Sequence, residues 1–66
     1  MSQLYDLKVL IETTIKDKGM DSAQVRGEIA LKAGRLLSFI SPTTPDDPAG
    51  VAKLKQAIKE VLNINA

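Results

Sequence analysis

The chain has 66 residues, with nine Lys and Arg against eight Asp and Glu, and it has no Cys, His or Trp. So short a chain supports one domain across 1–66, without disulfides or a zinc site, and its net charge of +1 exerts no strong pull on nucleic acid or acidic lipid. Below roughly 70–80 residues stability has to come from well-packed helices or from a partner chain.

Leu4, Leu7, Ile11 and Ile15 recur at spacings of three and four and predict a helix over about 3–18. Leu10 flanks that stripe, while Val9 and Tyr5 lie to its other side. Lys16 and Lys18 oppose the negative end of the helix dipole, and Gly19 supplies a left-handed stop. Ile15 and Met20 are spaced for the hydrophobic contact of a Schellman ending.

A second start follows at once. Asp21 can cap a helix with Gln24 reaching back, and Met20 and Val25 are spaced for a hydrophobic staple. Val25, Ile29, Ala33, Leu36 and Ile40 fall within an arc of about 80°, which predicts one helix over about 22–40, halted by Ser41-Pro42. Beside that arc runs a line of small residues: Ala23, Gly27, Ala30 and Gly34. A helical glycine costs about 0.8–1 kcal/mol relative to alanine, so two on one side call for a reason. The expected reason is close packing of helix 1 or helix 3; the alternative is a surface kept for a partner.

Residues 41–47 read as a proline-rich connector in which Asp46 or Asp47 caps a third helix and Pro48 fits its first turn. Helix 3 is expected over about 48–63, with Val51, Leu54, Ile58, Val61 and Leu62 inward and Lys53, Gln56, Lys59 and Glu60 outward. Ile64 and the last two residues are expected to fray. The fold class is therefore all-α: a compact three-helix domain, with a helical homodimer as the assembly it allows.

Catalysis is the first function to set aside. General acid–base work near neutral pH relies mostly on His, and Cys nucleophiles and Ser–His pairs are equally out of reach. The adjacent Asp46 and Asp47 are explained by capping. No cofactor and no metal are expected. Apolar runs reach only three residues, as in Val9-Leu10-Ile11, so no membrane partner is expected. With no secretion signal in Met1-Ser2-Gln3-Leu4-Tyr5-Asp6 and no Cys, a cytoplasmic location is expected.

Gly19-Met20-Asp21-Ser22 resembles the Gly-x-Asp-Ser element of acyl and peptidyl carrier proteins. The resemblance covers four residues and implies Ser22 as the site of phosphopantetheine attachment; Ala23 stands where that family has a large apolar residue. Ala30, Gly34 and Ile40 resemble the skeleton of a helix-turn-helix, which would break helix 2 at Gly34 and open a recognition helix at Arg35. On that alternative reading the chain is a small DNA-binding regulator, using Arg26, Lys32, Arg35, Lys53 and Lys55. The favoured expectation is a non-enzymatic protein–protein interaction module, a regulator or assembly component. Its partner is another protein or itself, met near Leu10, Gly27, Leu31, Gly34 and Phe39.

Overall fold

The computed structural model describes residues 2–66. It contains helices α1 (Gln3–Lys18), α2 (Ser22–Ala33) and α3 (Pro48–Leu62), with a single 3-10 turn at Leu37–Phe39 between the last two. α3 packs against both other helices, most extensively against α2, and α1 and α2 touch least. The core draws on all three helices and the turn, with Leu4, Ile11, Ile29, Ile40, Leu54 and Ile58 fully enclosed. No helix among the described residues is long and apolar enough to cross a membrane.

The helix ends follow the local chemistry. Ser2 caps α1, its hydroxyl accepting the Tyr5 N–H at 3.2 Å. At the other end Gly19 takes φ 63°, Met20 N–H donates to the Ile15 carbonyl at 3.0 Å, and Gly19 N–H to Lys16 at 3.3 Å. That is the Schellman pattern, and Met20 packs half-buried on the core. Asp21 caps α2 by accepting the Gln24 N–H at 3.1 Å. Asp47 caps α3 by accepting the Gly50 N–H at 3.2 Å, and Asn63, at φ 57°, ends it.

The second helix is shorter than its periodicity predicts. It stops at Ala33 because Gly34 turns left-handed (φ 68°) and Arg35 N–H closes back on the Ala30 carbonyl at 3.2 Å. A straight helix would carry Ile40 about 10 Å beyond Ala33. Instead the chain folds back through extended Leu36 and the 3-10 turn, which buries both Leu37 and Ile40. Leu36, expected inside, is 53% exposed, while Leu37 is 2% exposed. Ile64, expected to fray, packs half-buried against the core.

The proline-rich loop is tied to the start of the chain. Asp46 caps α1 rather than α3: its carboxylate accepts the Gln3 N–H at 2.9 Å, the Leu4 N–H at 3.0 Å and the Ser2 hydroxyl at 3.2 Å. Lys8 Nζ donates to the Ile40 carbonyl at 2.9 Å, so α1 holds the loop at two points.

Candidate interaction surface

α2 turns Val25, Ile29 and Ala33 into the core. At about 100° per residue, Leu31 and Gly27 then point directly away from it. Leu31 is 86% exposed, and Phe39, in the turn that follows, is 75% exposed. Gly27, Ala30, Leu31, Gly34, Arg35 and Leu36 line one shallow depression of about 300 Å³. Of the four large exposed apolar residues among the described ones, Leu31 and Leu36 share this depression, Phe39 stands in the turn that follows, and Val9 lies on α1.

The small residues are not covered. A Cβ added at Gly27 or at Gly34 would meet nothing within 4 Å. This corrects the expectation that helix 1 or helix 3 packs closely there: both glycines are exposed, and α3 meets α2 through its opposite side. Gly34 has its own reason in its left-handed φ, whereas Gly27 is a helix-interior glycine with no neighbour that requires it.

Leu10 does not join the face. Glu12 looks toward α2, where its carboxylate meets Arg26 Nη1 at 2.8 Å. Leu10 lies two residues back, about 200° round the helix, on the opposite flank. It is half-buried there.

Of the five basic residues of the nucleic-acid reading, Arg26 lies on the α1 side of α2, and Lys32 and Arg35 lie on its α3 side. Arg26 is paired with Glu12, and Lys32 Nζ lies 3.4 Å from Glu60 on α3. Arg35 reaches the start of α3, where a Cβ on Gly50 would lie 3.4 Å from its Nη2. Lys53 is exposed on α3, and Lys55 lines a separate depression with Gln3 and Asp46. The segment expected to open a recognition helix, Arg35 to Ile40, is an extended residue and one 3-10 turn. Helix 2 does break at Gly34, as the helix-turn-helix skeleton requires, but no second helix starts there.

The depression at Lys55 is larger, about 460 Å³, and open. Its one carboxylate, Asp46, is already engaged by two backbone N–H groups and a hydroxyl. Those bonds, first the Gln3 N–H and then the Leu4 N–H, hold the Asp46 carboxyl below its ordinary value of 3.8 against a smaller opposing effect of burial. Ser22 is exposed at the start of α2, where the carrier-protein resemblance puts it, and the Asp21 beside it serves as the helix cap. Among the described residues no cluster of three or more carboxylates comes together to hold a metal ion. No protein family, no curated protein and no solved structure matches the chain, so its own residues carry the functional argument.

Proposed function

We propose that this chain is a small non-enzymatic protein-binding domain, a regulator or assembly component, that makes contact through the outer face of α2 and the Leu36–Phe39 turn. One observation carries the reading. Two large exposed apolar side chains, Leu31 and Leu36, line one depression with an open helix-interior glycine, on the side of α2 that the core does not use, and exposed Phe39 stands in the turn that follows. Apolar groups gathered on one face mark interaction sites more often than scattered ones do. Protein is favoured over nucleic acid because phosphate binding needs convergent cations, and Arg26 and Lys32 already face Glu12 and Glu60. The lack of cysteine suits a reducing compartment, and the cytoplasm is the location this reading assigns.

A photo-crosslinking residue placed at Leu31 or Phe39, with exposed Gln56 on α3 as control, tests it in cells that make the protein. Protein adducts from the first two positions should exceed those from Gln56 and should fall when Leu36→Asp is added. Equal yields from all three positions, or adducts that vanish on nuclease treatment, would overturn the reading.

A further inference from the structure

We infer that the occupant of this face is a second copy of the chain, paired α2 against α2 in antiparallel register about a two-fold axis at Leu31; the inference rests on the binding reading above. The face is large at one end and small at the other. Before Leu31 it is lined by Gly27 and Ala30; after Leu31 and Gly34 it ends on the large side chains of Arg35 and Leu36. A two-fold axis across the helix lays the large half of each copy on the small half of the other, so the contact is self-complementary and closes as a dimer. Gly27 then has a use, since the partner helix can approach where a Cβ would find only open space.

The charges agree with that register. Glu28 stands one turn before Lys32, which pairs with Glu60 of α3, so Glu28 lies on the α3 side of the face. Arg35 lies on the same side, beside Gly50 of α3. Antiparallel face-to-face pairing sets that flank against its own reversed copy. Glu28 is three residues before Leu31, about 5 Å along the axis from the two-fold. Arg35 follows the left-handed Gly34 at the helix end beyond Leu31, its N–H on the Ala30 carbonyl, so antiparallel pairing brings each Glu28 to the helix end that carries the partner subunit's Arg35. Neither forms an ion pair among the described residues, whereas Arg26 and Lys32 are matched within the chain. A parallel pairing would turn that flank toward the partner's opposite flank, so Glu28 and the partner subunit's Arg35 would not meet, and it would leave the glycines facing each other. The face is one helix of 12 residues and a turn, so the contact is at or below the roughly 1,200 Å² low end of specific interfaces, and the dimer is a weak one.

Sedimentation equilibrium from about 5 to about 500 µM, the affinity range expected of so small a contact, reads the result. A reversible monomer–dimer equilibrium is expected. Leu31→Lys should abolish it. Glu28→Arg and Arg35→Glu should each weaken it about ten-fold or more, because two attractive pairs become two repulsive ones. Mixing those two single variants should restore dimers, since both contacts in the mixed dimer are Arg against Glu. Far-UV circular dichroism confirms that each variant is folded. A folded chain that stays monomeric throughout, or a mixture no tighter than its components, overturns the inference. Monomers that still crosslink other proteins at Leu31 would remove the second copy and leave the binding face standing. Leu31→Lys chains that dimerise like the wild type would remove the face itself.

Discussion

Asp46 shows how much one exposed side chain can do in a small fold. It joins the proline-rich loop to the first turn of α1 across more than forty residues of sequence, through three hydrogen bonds. The carboxylate also faces the positive end of the α1 dipole, where a negative charge is favoured. Its folded pKa lies below the ordinary 3.8, so its stabilising effect is fully present above that value and is lost as pH falls through the folded one. Asp46→Asn keeps an acceptor but removes the charge, and it should be less stable than the wild type at neutral pH. The gap should stay constant down to mildly acidic pH and close below 3.8. Urea denaturation of both chains at a series of pH values measures it, and a gap unchanged at low pH would show that the charge plays no part. Ser2, whose hydroxyl serves both Tyr5 and Asp46, should behave as an ordinary helix cap: Ser2→Ala costs about 1 kcal/mol.

At the scale of the element, α2 carries two glycines with opposite needs. Gly27 has helical geometry and open space around it, so Gly27→Ala should stabilise the monomer by about 0.5–1 kcal/mol. Gly34 sits at φ 68°, where an L side chain is strained, so Gly34→Ala should destabilise by about 1–2 kcal/mol although no atom is in its way. Denaturation at a concentration low enough to keep the chain monomeric distinguishes them. A gain at Gly34 would mean that the helix runs on through it. The same glycine explains where reading the sequence failed. From Val25 to Ala33 the three-four spacing places the core correctly, and Ile40 is buried on either path, so the apolar pattern alone does not reveal the break. Leu36 and Leu37 are adjacent and chemically identical, and only the backbone after Gly34 decides which one turns inward. The cap at Asp21 and the stop at Gly19 were legible because each is a local rule, and the same rule narrowed the α3 cap to Asp46 or Asp47, of which Asp47 takes it. The tie from Asp46 to α1 was not, since nothing in a loop aspartate says which distant N–H groups it will meet. Leu31 was legible for the opposite reason: it lies across the helix from three strongly apolar neighbours in register.

For the molecule as a whole, small size turns a weak contact into a measurable one. A core drawn from three short helices supplies only about 3–5 kcal/mol of net stability in a chain of this length. Whatever binds the folded state and ignores the unfolded one adds to that by mass action. Pairing through α2 requires the helix and the Leu36–Phe39 turn to be formed together, so unfolded chains have no matching surface to offer. Above the dissociation constant, a ten-fold rise in concentration then adds RT ln 10, about 1.4 kcal/mol per dimer or about 0.7 per chain, which in a domain this small raises Tm by roughly 3–5 °C. Leu31→Lys should flatten that dependence without lowering Tm at the dilute end, because Leu31 is 86% exposed and the monomer core does not use it. Thermal scans at several concentrations check both statements. A concentration-independent Tm in the wild type would mean that the folded chain gains nothing from its own copy. A Leu31→Lys chain already less stable when dilute would mean that Leu31 serves the monomer fold, and the outer face of α2 would lose its claim to be a surface kept for binding.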